Sequence, residues 1–412
     1  MTGTSAVFLH IGGPSTGTTF VQGVLESNRD ALAGAGIALP GEAASRGVLR
    51  TQFNAVKYAL RWRRFADHPD PDNPWSRMAG QMMEPSAAGW LLSMEFLCFA
   101  DHERARWIVE SLAGTDTHVI LTVRDSAAVL RSQWQTHVRN ADVIPFGRYL
   151  HGIRDAVEQN SGRGRTGAIF SRTLDVGRMI DVWGPLVGPD RLHVVTVPGP
   201  DSTQTLWDRF AAVLGIDPAV ATEQRVHSNT SLGHPSTEFL RRVNVELRSG
   251  EQTMSLALKV EVKNTLAKRV LAGRAHLERP VVLPRPTREH CLAWNDHTRA
   301  AIRAAGVGLT GSLDDLPTEA DLSGVPDTIE HPTRTELHDA ADAARSGMVD
   351  RLRGSIEIPA FTDSELRGPT NGVHQVAELI RRAAATRTIS GPETEDADTF
   401  DDDDDARDDI DG

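Results

Sequence analysis

Near the start of the chain, residues 4–22 read Thr-Ser-Ala-Val-Phe-Leu-His-Ile-Gly-Gly-Pro-Ser-Thr-Gly-Thr-Thr-Phe-Val-Gln. The first eight residues are largely apolar, include β-formers and end at a Gly-Gly-Pro turn, which predicts a buried strand. Apolar residues at 20, 21, 24 and 25 then predict a helix that begins at Thr18. A glycine-rich loop at such a junction can turn its backbone amides inward and bind an anion at the helix N-terminus. We interpret it as a phosphate site; the alternative is a plain turn whose glycines serve packing.

The same alternation continues through the first 215 residues or so. Further strands are predicted over residues 34–39, 89–94, 118–123 and 192–197, with helical patterns between them. Residues 118–123 form a continuous apolar run, which is typical of a central parallel strand. The sequence therefore predicts an α/β fold with a central parallel sheet flanked by helices, of the P-loop nucleotide-binding type, followed by additional C-terminal helices.

Composition divides the chain into three parts. Pro280, Pro284 and Pro286 mark a break, so we predict a nucleotide-binding α/β domain over residues 1–275 and a mainly helical extension over 276–390 that packs on it. Residues 391–412 contain twelve acids and one base and predict a disordered acidic tail.

Charge and hydropathy exclude several functional classes. The net charge of −12 resides almost entirely in the acidic tail, so the rest of the chain is nearly neutral and offers no basic face for nucleic acid. No uncharged apolar run reaches the ~18 residues of a membrane span. The two cysteines, Cys98 and Cys291, are too few for a disulfide scaffold or a structural zinc site. With no secretory signal recognisable at the N-terminus, a cytoplasmic location is expected.

The loop departs from the P-loop of nucleoside-triphosphate enzymes. It reads G-x-x-x-x-G-T-T, whereas those enzymes require a lysine where this chain has Thr18. An ordinary kinase or ATPase is therefore disfavoured.

Two motifs carry a resemblance to a known family. Residues 10–22 resemble the 5′-phosphosulfate-binding loop of the sulfotransferases that use 3′-phosphoadenosine 5′-phosphosulfate (PAPS), usually written K-T-G-T-T-x-(L/V)-Q. Arg124 at a predicted strand end and Ser132, eight residues later on the next helix, resemble that family's 3′-phosphate motif. Weaker similarity over residues 183–196 and 206–216 extends the likeness to about residues 4–320.

The resemblance implies a cofactor, a reaction and a set of binding residues. It implies PAPS as the cofactor and transfer of its sulfuryl group to a hydroxyl or amine of a small-molecule or glycan acceptor, without a metal. A homodimer is compatible with the resemblance. The implied cofactor-binding residues are Gly13, Pro14, Ser15, Thr16, Gly17, Thr18, Thr19, Arg124 and Ser132.

Two residues are candidates for catalysis. Glu95 follows a predicted strand, and some family members use a glutamate as the base that deprotonates the acceptor. The alternative is an acid that favours the start of a helix. His10 precedes the loop and could face the acceptor; the alternative is a strand histidine whose hydrogen bonds are satisfied within the protein. Arg131, next to Ser132, is predicted to lie on a solvated helix face.

The loop lysine of the family is missing. Ser15 stands in its place, and none of the four lysines lies near the loop in sequence. Three alternatives follow. An arginine replaces the charge through space, or the ligand differs, or the chain is a weakened or inactive member, such as a non-catalytic nucleotide-binding pseudo-sulfotransferase that acts as a regulator or scaffold.

Overall fold

The structure, a computed structural model, describes residues 5–41, 48–60, 72–84, 89–158, 173–223, 231–249, 254–356, 358 and 369–386. The predicted acidic tail, residues 391–412, lies outside these ranges. Within them the chain forms a six-stranded, wholly parallel sheet in the order β2-β3-β1-β4-β5-β6. Its strands are β1 (Ala6–His10), β2 (Ile37–Ala38), β3 (Gly89–Ser93), β4 (Asp116–Val123), β5 (Leu192–Thr196) and β6 (Gly308–Thr310). The predicted α/β class is confirmed.

Helices cover both faces of the sheet. Alternate strand residues such as Phe8 and Ile120 face one hydrophobic core, while Leu9 and Leu121 face another. The first core is closed by α1 (Thr18–Ser27), α2 (Arg29–Gly34) and α9 (Leu206–Leu214). The second is closed by α3 (Val48–Ala59), α4 (Pro74–Met83), α5 (His102–Glu110) and α8 (Val176–Val187). Burial on both faces explains why the central strands are apolar without alternation.

A third core belongs to a group of helices beside the sheet. These are α6 (Ser126–Arg139), α7 (Phe146–Glu158), α10 (His234–Arg248), α11 (Leu256–Val260), α12 (Arg285–Ala305), α13 (Arg334–Leu352) and α14 (Pro369–Thr386). Helix α11 continues into a π-helix (Glu261–Leu271) and a 3-10 helix (Ala272–Leu277). Among the described helices, none has both the length and the apolar character that crossing a membrane requires.

Segments on both sides of residue 275 contribute to the same structural units. The third core joins helices from before and after that position, and β6, from beyond it, pairs with β5 in the sheet. The predicted domain boundary at residue 275 stays a prediction.

The order of the strands fixes where a ligand can enter. The chain leaves β1 toward β2 on one side of the sheet and leaves β4 toward β5 on the other, although β1 and β4 are neighbours. In open α/β sheets the crevice at the carboxyl ends of two such strands is the usual ligand site. Here that crevice lies between the glycine-rich loop after β1 and Arg124 after β4.

The carboxyl ends of β5 and β6 are closed by a buried ion pair. Arg209 on α9 donates to the carboxylate of Asp315, which also accepts hydrogen bonds from Thr196 Oγ1 (2.7 Å) and Gly199 N (2.9 Å). Burial alone would raise the pKa of Asp315, but the hydrogen bonds from Arg209, Gly199 and Thr196 outweigh it and lower that pKa. Gly311 has φ +109°, and a Cβ there would collide with Thr196 and Arg209. This region is therefore packed shut.

Removing the acid of this pair is expected to destabilise the protein strongly. Asp315→Ala leaves the Arg209 guanidinium buried without its charge partner, which costs about 3–5 kcal/mol of unfolding free energy. Its neighbour Asp314, whose side chain is 88% exposed, is the matched control, and Asp314→Ala should change the free energy by less than about 0.5 kcal/mol. Chemical denaturation measures both; equal losses in the two variants would contradict a structural role for the pair.

Candidate functional site

The glycines of the loop allow close packing. A Cβ at Gly12 would collide with Thr122 Oγ1, and a Cβ at Gly13 would collide with the carbonyl oxygen of Thr173. Gly17 has φ +90°, in the left-handed region that favours glycine, and is the N-cap of α1. Close packing at Gly12 and Gly13 and the left-handed backbone at Gly17 therefore explain why glycine is needed at these three positions, whatever the loop binds.

The N-terminus of α1 differs from those of several neighbouring helices. Because Gly17 has no side chain, no side-chain hydrogen bond caps α1. By contrast, Asp125 caps α6, Asp175 caps α8 and Thr205 caps α9. The first-turn N–H groups of a helix point out of its N-terminus, where they favour an anion. This observation favours the phosphate-binding interpretation of the loop.

A chain of side-chain hydrogen bonds across three strands holds the loop in shape. Thr16 Oγ1 donates to the carbonyl of Gly13 (2.6 Å) and lies 2.8 Å from Thr122 Oγ1 on β4. Thr122 Oγ1 lies 3.2 Å from His10 Nε2, and His10 Nδ1 lies 2.8 Å from Ser93 Oγ on β3. We call these four side chains, of Ser93, His10, Thr122 and Thr16, the loop-support chain.

The direction of the protons along this chain follows from counting donors. Thr16 uses its hydroxyl proton on Gly13, so it must accept from Thr122. Thr122 in turn accepts from His10, which places the proton of a neutral imidazole on Nε2 and leaves Nδ1 to accept from Ser93. Burial lowers the pKa of His10 to about 3, so the neutral form is the relevant one at neutral pH.

His10 therefore supports the loop from within the sheet. Only 1% of its surface is exposed, and its ring edge packs on Phe210 at 4.9 Å between centroids. A side chain so enclosed has no access to an acceptor in this structure. The geometry is that of a histidine whose hydrogen bonds are satisfied by its neighbours.

Burial of neutral His10 makes stability depend on pH. As the pH is lowered, the unfolded chain, with a histidine pKa near 6.5, takes up a proton at a higher pH than the folded chain does. The free energy of unfolding therefore has its full value above about pH 6.5 and falls as the pH drops toward 3. At about pH 4 this residue alone should account for a loss of about 3 kcal/mol.

The matched variant is His10→Gln, which can keep a donor toward Thr122 and does not titrate. Denaturant unfolding between about pH 7 and pH 4 should show a smaller loss in this variant than in the parent protein, because one proton fewer is taken up on unfolding. Identical losses in the two proteins would show that His10 is not responsible.

An arginine lies beside the position of the missing lysine. Ser15 adopts φ +69°, in the left-handed region that is uncommon for residues other than glycine. Arg124 Nη1 donates to the carbonyl oxygen of Ser15 (3.2 Å), so its guanidinium lies against the loop. Burial lowers the pKa of Arg124, yet arginine remains charged. Of the alternatives for the absent lysine, this contact favours an arginine that supplies the charge through space.

Glu95 lies on the other side of the loop from Arg124. It begins a short 3-10 helix directly after β3, and β3 is the neighbour of β1 opposite β4. Gln22 Nε2 on α1 donates to Glu95 Oε2 (2.7 Å) and to the carbonyl of Ser93 (3.1 Å). The carboxylate is half-buried and oriented by an amide, which is compatible with a general base in reach of a ligand at the loop.

Helix α6 carries the remaining predicted binding residue. Ser132 is half-buried on this helix, one position after Arg131. The expectation of a solvated face for Arg131 does not hold, because Arg131 is half-buried and Arg288 on α12 lies near enough for its charge to act on it. More than 150 residues separate the two arginines in sequence, so no local pattern signals their proximity.

A narrow cleft, with about 20 Å³ of space for water and partly open to solvent, adjoins the loop. It lies between the loop, the end of β4 and the start of α6, with α8 and α12 as its far wall. Polar groups of Thr16, Thr122, Arg124, Asn295 and Thr298 line it beside the ring of Trp294. Sequence reasoning did not place the α12 residues Trp294, Asn295 and Thr298 at this cleft, since no motif marks them.

Comparison with known proteins finds no protein that is similar to this chain. No family model matches the sequence, and neither the curated proteins nor the solved structures contain a match. The functional argument therefore rests on the residues and geometry of this chain.

Proposed function

We propose that the protein transfers a sulfuryl group from PAPS to a hydroxyl or amine of a small-molecule or glycan acceptor. The observation that carries the proposal is the contact of Arg124 with the loop at Ser15, because it brings the arginine of the 3′-phosphate-like motif against the phosphosulfate-like loop. The uncapped N-terminus of α1 adds donors for an anionic group at the same loop.

The residues of the site fit the donor that this reaction needs. The loop and α1 offer backbone donors, and Arg124 offers a guanidinium, which are groups that bind phosphate and phosphosulfate oxygens. When bound, PAPS supplies the sulfuryl group and leaves as the 3′,5′-diphosphate.

Each residue has a distinct task in the proposed reaction. Glu95 accepts the proton of the acceptor hydroxyl or amine as the new bond to sulfur forms. The loop amides stabilise the negative charge that develops on the bridging oxygen as its bond to sulfur breaks. The loop-support chain keeps the amides in place before the ligand arrives, so that positioning contributes to the rate.

One observation favours a second candidate, a non-catalytic nucleotide-binding protein that acts as a regulator or scaffold. Ser15 carries no charge, and a neutral hydrogen bond is roughly half as strong as a charge-assisted one. Both candidates bind nucleotide, but only the first turns PAPS over. Incubation with radiolabelled PAPS and a panel of hydroxyl- and amine-bearing acceptors separates them.

Nucleotide binding is tested first, with Arg124. Arg124→Ala should weaken 3′-phosphoadenosine 5′-phosphate by roughly tenfold or more, because a charge-assisted hydrogen bond is lost, and should weaken adenosine 5′-phosphate much less. Arg191→Ala, at the amino end of β5, is the control and should leave both affinities unchanged. Calorimetric titration gives the affinities; equal weakening of both nucleotides by Arg124→Ala would contradict a role specific to the 3′-phosphate.

Catalysis is tested with Glu95. Glu95→Gln removes the proton acceptor but keeps a hydrogen-bonding side chain beside Gln22, so turnover should fall by roughly 100-fold or more while the affinity for 3′-phosphoadenosine 5′-phosphate stays the same. Glu110→Gln on the exposed end of α5 is the control. Full activity of Glu95→Gln would reject Glu95 as the base.

A further inference from the structure

Helix α6 carries two buried glutamines whose side chains bond in different directions. Only 4% of the surface of each is exposed. Gln133 Nε2 donates to Thr173 Oγ1 (3.3 Å), whereas Gln135 Nε2 donates to the carbonyl of Leu232 (2.6 Å), just before α10. A buried amide without a partner is costly, so both bonds matter to the fold. They fix α6 against two different segments of the chain.

The bond made by Gln133 reaches the glycine-rich loop through one further contact. A Cβ at Gly13 would lie 2.2 Å from the carbonyl oxygen of Thr173, so this carbonyl packs directly against the loop backbone. Thr173 is itself buried, and its hydroxyl is the group that Gln133 holds. We call this path, from Gln133 through Thr173 to Gly13, the lateral bridge. It connects the loop to α6, whereas the loop-support chain connects the loop to the sheet.

Tyr149 on α7 fixes the orientation of the Gln133 amide. Tyr149 Oη donates to Gln133 Oε1 (3.2 Å), which directs the NH2 group of the amide toward Thr173. Burial raises the pKa of Tyr149, so its hydroxyl keeps the proton that it donates. The lateral bridge is therefore set by the packing of α7 on α6, in the third core.

The polypeptide around α6 meets the loop at two points. Just before the helix, Arg124 Nη1 donates to the carbonyl of Ser15 (3.2 Å). About two turns into the helix, about 10 Å along its axis, the lateral bridge reaches Gly13. Ser132 lies between these two points in the sequence. Two contacts fix both the distance and the direction of the helix, so the separation between the loop and Ser132 is built into the structure.

We propose that Gln133 is a positioning residue that sets the distance between the glycine-rich loop and Ser132, and that this distance selects nucleotides with a phosphate at both the 5′ and the 3′ position. A ligand that must reach two places gains from both only when their separation matches its own length. The lateral bridge follows from the contacts, whereas the selection of nucleotides rests on the proposed function. The bridge joins residues 40 positions apart, so no local pattern signals it.

The first experiment compares 3′-phosphoadenosine 5′-phosphate with adenosine 5′-phosphate by calorimetric titration. Gln133→Met keeps the length of the side chain and removes both of its hydrogen bonds. It should weaken binding of the bisphosphate at least about fivefold, the effect of losing a typical hydrogen bond. Binding of adenosine 5′-phosphate should weaken less than about twofold, because the loop-support chain still holds the loop.

Gln135→Met is the matched control, because it removes an equally buried amide from the same helix. It should leave the ratio of the two affinities unchanged, even if it lowers the melting temperature as much as Gln133→Met does. Tyr149→Phe is the second variant; it keeps the ring and should move the ratio in the same direction as Gln133→Met, by a smaller factor. An unchanged ratio in both Gln133→Met and Tyr149→Phe, or the same change in Gln135→Met, would overturn the proposal.

The second experiment needs no ligand and tests the lateral bridge by itself. Gly13→Ala should lower the melting temperature, because the added Cβ collides with the carbonyl of Thr173. In the Gln133→Met background Thr173 is no longer held, so the loss caused by Gly13→Ala should be smaller. In the Gln135→Met background the loss should equal that in the parent protein. Equal losses in all three backgrounds would show that Gln133 does not hold Thr173 against the loop, and would overturn the proposal.

Together the two experiments separate this inference from the proposed function. If the losses differ as expected but the parent protein binds neither nucleotide, the lateral bridge stands, and the proposed function fails together with the selection that rests on it. If the parent protein binds the bisphosphate but the affinity ratio and the losses do not depend on Gln133, nucleotide binding stands and the role of Gln133 is rejected.

Discussion

The site depends on the loop-support chain. Ser93, His10 and Thr122 come from three adjacent strands, and their hydrogen bonds end on Thr16 inside the loop. With His10 neutral, each member gives one proton to the next acceptor along the chain. The sheet thereby sets the conformation of the loop directly, and the left-handed backbone at Ser15 and the contact with Arg124 are built on that support.

The arrangement places opposite charges on the two sides of the loop. A carboxylate after β3 and a guanidinium after β4 flank the end of β1, and the sheet order alone brings them there. In the proposed reaction, such a pair would give the donor a direction, with its anionic part toward Arg124 and the acceptor toward Glu95. The Arg209–Asp315 ion pair closes the neighbouring carboxyl ends of β5 and β6.

Local patterns in the sequence predicted the parts of the fold that lie close together along the chain. The apolar run before Gly12, the helix after Thr18 and the strand before Arg124 are all confirmed, because burial on both faces and helical periodicity leave direct signatures in the sequence.

Strand β6 was missed, since three residues that begin with glycine and are partly exposed carry no such signature. The proximity of Arg288 to Arg131 and the hydrogen bond from Ser126 to Asn295 were beyond sequence reasoning, because they arise from packing between segments more than 150 residues apart. A histidine satisfied within the protein was among the alternatives for His10, and its burial and its two hydrogen-bond partners in the structure favour that alternative over contact with an acceptor.

The late position of α12 and β6 in the chain has a consequence for biosynthesis. A ribosome that has released only the first 275 residues has released β1, the loop and Arg124, but neither Asn295 nor the strand that pairs with β5. During that interval β5 is an edge strand with unpaired N–H and C=O groups, which is a template for pairing with another chain. The start of α6 also waits for Asn295 of α12, to which Ser126 N donates. The crevice is therefore complete only after the last sheet strand and α12 have been released and have docked.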